Sequence, residues 1–317
     1  MNLEKKIILL ILIFATACAP AISAPSSLED EQIQATPDVV ANILPTPELT
    51  FSPYDLRSLS DRIYGAGEFL VEFPWQEQNE FTRYKVVYDS DGLEIHGFVN
   101  IPKGKGPFPV VVALHGYIPA SEYETLDYST RYADSIARKG YIVLHPNMRN
   151  FPPSDSVGRR RDYLTGYTID VMNMIAHVQR LSKEEGSIFQ DADFSRMGVW
   201  GHSLGGGVAL RIASLVSDVQ AVVAYAAVSQ RYTNASTGIE IFAFQASNAA
   251  FSVHHGTQDE VISVAWSERL CQQLEEAGKQ PECFYYQEQP HTFYAQGTSD
   301  ALFIERTVRF FEQHLRG

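Results

Sequence analysis

The chain has 317 residues, of which 45% are hydrophobic and 20% are charged, and its formal net charge is −13. This length and hydrophobic content are sufficient for one large domain with a substantial core. The acidic charge argues against a nucleic-acid-binding protein, since contacts with phosphates require basic patches. No phosphate-binding glycine loop and no cluster of metal-ligating residues is visible in the sequence, so we predict neither a cofactor nor a metal site.

The first 24 residues have the organisation of an export signal. Two lysines precede an unbroken apolar run from 7 to 14, which is too short to span a bilayer. Cys18 follows Ala15-Thr16-Ala17 and resembles the cysteine of a bacterial lipobox, which is lipidated and becomes the mature N-terminus. Ordinary cleavage after these small residues is the alternative. In either case we expect an exported protein that contacts a membrane only through such a lipid anchor.

Residues 25–53 contain scattered prolines and no sustained hydrophobic period, which predicts a flexible linker before a domain over 54–317. The domain begins with an extension and with two strands joined by a hairpin turn at Asp91-Gly92. The predicted strands are 81–88, 93–101, 108–114, 141–145, 196–200, 219–226, 249–256 and 284–286, and the predicted helices are 123–139, 163–181, 263–277, 301–315 and one directly after residue 203. This order predicts an α/β fold with a mostly parallel central sheet, antiparallel N-terminal strands and helices on both faces.

The motif Gly201-His202-Ser203-Leu204-Gly205 lies between a predicted strand and a predicted helix. A G-x-S-x-G turn in this position is a nucleophile elbow, which holds the serine in strained backbone geometry with its hydroxyl projecting into the site. Both flanking glycines are required because a Cβ there would collide with the neighbouring strand or helix. We predict Ser203 as the nucleophile and the backbone N–H of Leu204 as one oxyanion-hole donor.

A serine hydroxyl becomes a good nucleophile when a base takes its proton and a carboxylate orients that base. His291, in a loop between the last strand and the last helix, is the predicted base. His314 lies close to the chain end. His254 and His255 are neighbours on a strand and must point to opposite faces, which excludes them as a chelating pair.

The acid is expected on the loop after the penultimate strand, because the order in this kind of site is serine, acid, histidine. Asp259 occupies that loop and is our choice, with Glu260 as the second candidate. The alternative role for Asp259 is an N-cap, a position that aspartate favours.

The first buried strand, 108–114, ends in His115-Gly116-Tyr117. The loop after this strand supplies the second oxyanion donor, and we predict the backbone N–H of Tyr117 for that role. We expect His115 to support the loop. The Tyr117 side chain either lines the substrate pocket or covers the core.

Cys271 and Cys283 lie on a predicted helix and on the strand that follows it. In an oxidising compartment they would form a disulfide, and the alternative is two buried thiols. Sequence cannot separate the two because it does not give the Cα separation.

The chain resembles the α/β-hydrolase superfamily, and more closely the catalytic domain of the prolyl oligopeptidase family and its acylaminoacyl-peptidase and dienelactone-hydrolase-like relatives. The matching stretches are 88–97, 107–116, 201–205, 255–259 and 290–293. The resemblance implies an α/β-hydrolase fold over residues 82–315 with a Ser-Asp-His triad. Such peptidases carry a β-propeller before this domain, for which the chain has no room, and a glycine-rich stretch where this chain has Arg149 to Ser154. The short segment between Tyr225 and Ala249 predicts a small cap or none.

We therefore expect an exported serine hydrolase that cleaves carboxylic esters through an acyl-enzyme at Ser203. The alternative is a propeller-less serine peptidase that acts on short peptides or aminoacyl amides. A binding protein with a degenerate hydrolase fold would lack a member of the triad, and none is missing from the sequence. The substrate is a small ester or a short peptide, and the sequence leaves the oligomeric state open.

Overall fold

The computed structural model describes residues 56–158, 163–229 and 241–316. The predicted export signal with Cys18, and the predicted linker, lie outside these residues. Within the three described segments, no helix has the length and apolar character needed to cross a bilayer.

In the described part of the chain, nine strands form one sheet with the order β1-β2-β3-β5-β4-β6-β7-β8-β9. The strands are β1 (Phe69–Glu77), β2 (Phe81–Ser90), β3 (Leu93–Pro102), β4 (Phe108–Leu114), β5 (Ile142–Pro146), β6 (Ala192–His202), β7 (Val219–Tyr225), β8 (Ala250–Gly256) and β9 (Glu282–Tyr286). Strands β1, β2, β3 and β5 pair antiparallel, and the pairs from β5–β4 to β8–β9 are parallel. The predicted mixed, mostly parallel sheet is confirmed.

The central strands are buried on both faces of the sheet. Along β4, Val110 and Val112 belong to one hydrophobic core, whereas Val111 and Ala113 belong to a second core on the opposite face. Successive strand residues point to opposite faces, so a strand covered on both sides is an unbroken apolar run. The predicted two-sided burial of this segment is confirmed.

Helices cover both faces of the sheet. The helices are α1 (Leu56–Ser60), α2 (Thr130–Ala137), α3 (Tyr163–Leu181), α4 (Leu204–Leu215), α5 (Ile241–Ala246), α6 (Ala265–Glu276) and α7 (Thr298–Leu315). Buried residues of α3, α4 and α6 contribute to the core that contains Val110, and those of α2 and α7 contribute to the core that contains Val111. The short helix α5 was not predicted from the sequence.

The prediction of a helix over 123–139 was wrong in its first half, because α2 begins only at Thr130. Before it the chain forms turns, in which the N–H of Tyr123 donates to the carbonyl of Pro119 over 3.0 Å. One oxygen of Asp127 accepts the N–H of Ser129 at 2.7 Å and its hydroxyl at 2.5 Å. A short polar side chain that bonds the backbone of a nearby residue in this way competes with helix formation.

Cys271 in α6 and Cys283 in β9 form a disulfide, with their Cα atoms 6.6 Å apart. This result decides between the two arrangements that the sequence left open. The bond ties the helix that follows the Asp259 loop to the strand that precedes the His291 loop.

Replacing both cysteines with serine, Cys271→Ser with Cys283→Ser, will lower the free energy of unfolding by about 3 kcal/mol, because the open chain regains the loop entropy that the bond removes. The bonded residues are 12 positions apart. Urea denaturation of the full chain measures the change, and wild-type protein under reducing conditions is the control. If the double variant and the reduced wild-type protein both keep the urea midpoint of the oxidised wild type, the disulfide does not stabilise the fold.

Candidate active site

Ser203 lies at the sharp turn between β6 and α4. Its backbone angles are φ 53° and ψ −113°, in a region that costs a non-glycine residue about 1–3 kcal/mol. The end of β7 stabilises this turn, since the N–H of Ser203 donates to the carbonyl of Tyr225 at 2.8 Å and the N–H of Val228 donates to the carbonyl of Ser203 at 2.9 Å. The strained elbow geometry expected from the sequence is therefore present.

Glycines permit the close approach of α4 to the strands. A Cβ on Gly205 would lie 2.4 Å from the carbonyl oxygen of Leu114 and 2.5 Å from that of His115. A Cβ on Gly201 would lie 2.3 Å from the carbonyl oxygen of Gly205. These contacts are too short for any side chain, so the first turn of α4 lies directly against the end of β4.

The loops that follow β8 and β9 bring Asp259 and His291 together. Nδ1 of His291 donates to Oδ2 of Asp259 over 2.7 Å, and the Asp259 side chain is fully buried. The other oxygen, Oδ1, accepts the N–H groups of Val261 and Ile262, both at 2.8 Å. Asp259 is therefore not the N-cap considered from the sequence, because α6 begins at Ala265 with Val264 as its N-cap residue. Instead Asp259 closes its own turn and holds an imidazole.

Hydrogen bonds keep the Asp259 carboxylate ionised. Burial acts to raise its pKa, but the bonds from His255, His291 and the N–H of Ile262 outweigh burial and hold the pKa well below the usual range. A negative charge is therefore fixed beside His291. Glu260, the second candidate, is different: its Oε2 accepts the backbone N–H of His291 at 3.3 Å, so it contacts the backbone.

The loop of His291 is anchored by hydrogen bonds that join its backbone to β7 and α2. The N–H of Phe293 donates to the hydroxyl of Tyr225 at 2.7 Å. Arg131 in α2 donates to the carbonyl of Phe293 at 3.1 Å and pairs with Asp300 of α7 at 3.2 Å. These bonds fix the backbone that carries the imidazole.

A chain of hydrogen bonds joins the loop after β4 to the elbow and to the His291 loop. The N–H of Gly116 donates to the hydroxyl of Tyr128 at 2.8 Å, and this hydroxyl donates to Nδ1 of His202. Nε2 of His202 lies 3.0 Å from the carbonyl of His291 and must carry the proton, because a carbonyl only accepts. Burial, and then the neighbouring His291, hold the pKa of His202 well below its usual value, so this ring is neutral.

Tyr128 was missed from the sequence because it is 74 positions away from His202 and matches no motif. A second residue, His255, was given no role in the site from the sequence. Its Nε2 lies 2.9 Å from the same oxygen of Asp259 that accepts from His291.

The two backbone N–H groups predicted as oxyanion-hole donors belong to Leu204, directly after Ser203, and to Tyr117 in the loop after β4. The N–H of Leu204 is the first of α4 and has no partner within the helix. The N–H of Tyr117 has no acceptor among the described residues, whereas that of Gly116 is taken by Tyr128. A Cβ on Gly116 would lie 3.2 Å from the Cβ of Ser203, so this loop passes directly beside the serine.

The side chain of Tyr117 does not cover the core. It is 58% exposed, and its ring meets the buried ring of Phe151 edge-on with centroids 6.2 Å apart. His115 is fully buried, and its ring nitrogens lie 2.7 Å from the carbonyl of Gly116 and 2.8 Å from that of Asn147. His115 therefore supports the loop, as expected.

The segment between Tyr225 and Ala249, where the sequence predicts a small cap or none, is described only in part. Residues 230–240 lie outside the described ranges. Among the residues that are described, no group of three or more His, Cys, Asp or Glu side chains has an arrangement suited to a metal ion.

The ends of β4, β6, β8 and β9 thus bring the predicted residues to one edge of the sheet, where ligands bind in open α/β folds. Residues 95–315 match the model of the dienelactone hydrolase family. The chain belongs to this family. Its fold is that of the α/β-hydrolase superfamily.

The proteins that this chain is similar to include esterases and peptidases. Esterase EstD of Thermotoga maritima is 33% identical over 114 residues, which cover 34% of this chain and 24% of that protein. The chain therefore matches about a quarter of the length of this relative.

Solved structures show the same fold at lower identity. Acetyl xylan esterase 1 from Thermoanaerobacterium sp. superposes with a TM-score of 0.59 at 16% identity, over 83% of this chain and 94% of that one. The acylaminoacyl peptidase of Pyrococcus horikoshii superposes with a TM-score of 0.58 at 19% identity, over 75% of this chain but only 42% of that one.

Proposed function

We propose that this hydrolase cleaves carboxylic esters through an acyl-enzyme formed on Ser203. The observation that carries the proposal is the strained elbow serine, placed at the sheet edge that also holds the buried Asp259–His291 pair. In the first step, Oγ of Ser203 bonds to the ester carbonyl carbon while His291 takes the proton of the Ser203 hydroxyl. The charge that develops on the carbonyl oxygen is stabilised by the N–H groups of Tyr117 and Leu204.

The intermediate collapses when the C–O bond to the alcohol breaks and His291 returns its proton to the departing oxygen. Water then repeats the sequence: His291 takes a proton from water, the hydroxyl attacks the acyl carbon, and the serine oxygen leaves with the proton. Throughout, Asp259 holds Nδ1 of His291, so that Nε2 faces the reaction.

Esters are favoured over amides as substrates because an alkoxide leaves more readily than an amine. Esterase EstD and acetyl xylan esterase 1 are described as esterases, which supports the same choice. The peptidase alternative draws on the acylaminoacyl peptidase, a chain of which this protein matches less than half.

The test compares kcat/KM on p-nitrophenyl acyl esters with kcat/KM on aminoacyl and prolyl p-nitroanilides, using the full chain and subtracting the rate of Ser203→Ala. We expect turnover of the esters and none of the anilides. Cleavage of anilides at comparable efficiency would show a propeller-less peptidase in place of an esterase. Equal rates for wild type and Ser203→Ala on every substrate would reject a serine hydrolase.

We also propose that the protein is exported, on the basis of its N-terminal sequence. The disulfide between Cys271 and Cys283 supports this location, because such bonds persist in oxidising compartments. Lipidation at Cys18 is part of the same proposal.

A further inference from the structure

Asp259 is bound by two imidazoles, and only one of them belongs to the proposed triad. Oδ2 of Asp259 lies 2.7 Å from Nδ1 of His291 and 2.9 Å from Nε2 of His255. The side chain of His291 is 11% exposed, whereas those of His255 and Asp259 are fully buried. With the two backbone N–H groups on Oδ1, four donors surround this carboxylate, which is about its full capacity.

The surroundings of His255 determine where its proton lies. Its Nε2 faces only acceptors, namely Oδ2 of Asp259 and the carbonyl of Ile262 at 3.0 Å. Nε2 must therefore be protonated, and in the neutral ring Nδ1 accepts from the hydroxyl of Ser267, which is 2.7 Å away on α6. Donation thus runs from Ser267 to His255 and from His255 to Asp259.

We propose that His255 is a positioning residue of the active site, which fixes the Asp259 oxygen that holds His291 and limits how strongly that oxygen attracts a proton on His291. This inference rests on the proposed function of the triad. His255 contacts neither the serine nor a substrate, and it acts only through the carboxylate.

Two consequences follow from sharing one oxygen. The bond from His255 prevents rotation of the carboxylate, so His291 keeps one orientation when it exchanges protons. The same bond withdraws negative charge from Oδ2, so the protonated form of His291 is stabilised less than it would be by Asp259 alone. Losing the bond should therefore make His291 harder to deprotonate.

Other titratable groups near His255 and His291 come from two elements, the loop after β8 and the strand β6. Asp259 and Glu260 lie on the loop after β8, and Glu260 contacts the backbone of His291. His202 of β6 lies beside His291, with ring centroids 4.7 Å apart and ring planes tilted by 42°, and is neutral. Of these groups only Asp259 loses a bond when His255 is replaced, so a shift in pH dependence reports on the His255–Asp259 bond.

The test uses His255→Phe, which keeps a ring but has no N–H, with His255→Gln as the variant that keeps a donor. His254→Phe is the matched control, because His254 is equally buried on the same strand but contacts Ser252 and Tyr286 instead of Asp259. The pH profile of kcat/KM on p-nitrophenyl acetate is measured for each full-length variant. The titration of the His291 ring, followed by NMR, provides a readout that does not depend on turnover.

We expect His255→Phe to lower kcat by about 10- to 100-fold with little change in KM, since a misplaced base slows the chemical step. The acidic limb of the profile and the NMR titration of His291 should both move to higher pH by roughly 0.5–1 unit. His255→Gln should restore most of the lost kcat and most of the wild-type pH dependence. His254→Phe should keep the wild-type acidic limb. If His255→Phe does not fold, Ser267→Ala removes only the orienting hydroxyl and should shift the limb in the same direction.

A folded His255→Phe, or Ser267→Ala in its place, with the wild-type acidic limb and His291 titration would overturn this inference while leaving the esterase intact. Failure of the proposed function is a different result: Ser203→Ala would then be as active as wild type, and the NMR titration would still decide the role of His255.

Discussion

Replacing Ser203 with alanine will lower kcat/KM for ester hydrolysis by about 10⁴- to 10⁶-fold, the loss that follows removal of an acyl-transfer nucleophile. The main chain at Ser203 is held by the bonds to Tyr225 and Val228, which alanine keeps. We therefore expect the variant to unfold at nearly the same denaturant concentration as wild type. Steady-state kinetics on p-nitrophenyl esters and urea denaturation measure the two effects.

The same experiment tests whether serine and histidine act as one unit. His291→Ala should lose about as much as Ser203→Ala, and the double variant should be no slower than either, because each residue is useless without the other. Ser229→Ala is the matched control: Ser229 is also buried, just beyond β7, but its hydroxyl donates to the carbonyl of Trp266 at 3.2 Å. Full activity of Ser203→Ala, or an equal loss in Ser229→Ala, would contradict the assignment.

Asp259→Asn is expected to lower kcat by about 10³- to 10⁴-fold. Four N–H groups point at this side chain: those of Val261 and Ile262 at one oxygen, and those of His255 and His291 at the other. An asparagine has one oxygen, so its NH₂ must face two donors in either orientation. When the NH₂ faces the imidazoles, His291 can accept from it only by moving its proton to Nε2, which removes the basic nitrogen from the reaction.

Glu260→Gln is the control for this prediction. The amide oxygen of glutamine still accepts the backbone N–H of His291, so we expect activity within a few-fold of wild type. Kinetics at several pH values distinguish the two variants. The activity lost in Asp259→Asn should not return at high pH, since raising the pH does not correct a wrong tautomer of His291. If Glu260→Gln loses as much as Asp259→Asn, the choice of acid is wrong.

The sequence by itself determined the fold class and the edge of the sheet at which to look. The run from Phe108 to Leu114 predicted a strand covered on both faces, and the G-x-S-x-G turn predicted the strained serine. These signals are local: the period of a strand, the glycines of a tight turn and the apolar face of a helix are all written in consecutive residues. The same local signals misplaced the start of α2, because the bonds that Asp127 accepts from Ser129 leave no trace in the hydrophobic period.

Only the tertiary structure decided which side chains meet. The contact of His255 with Asp259 depends on how the loop after β8 folds back over its own strand, and the Tyr128–His202 bond depends on β4 lying beside β6. The disulfide likewise required β9 to pair with β8 so that Cys283 lies within reach of α6. The Tyr128–His202 and Cys271–Cys283 contacts are set by strand order and register, which no short stretch of sequence encodes, because their partners are brought together by the packing of the whole sheet.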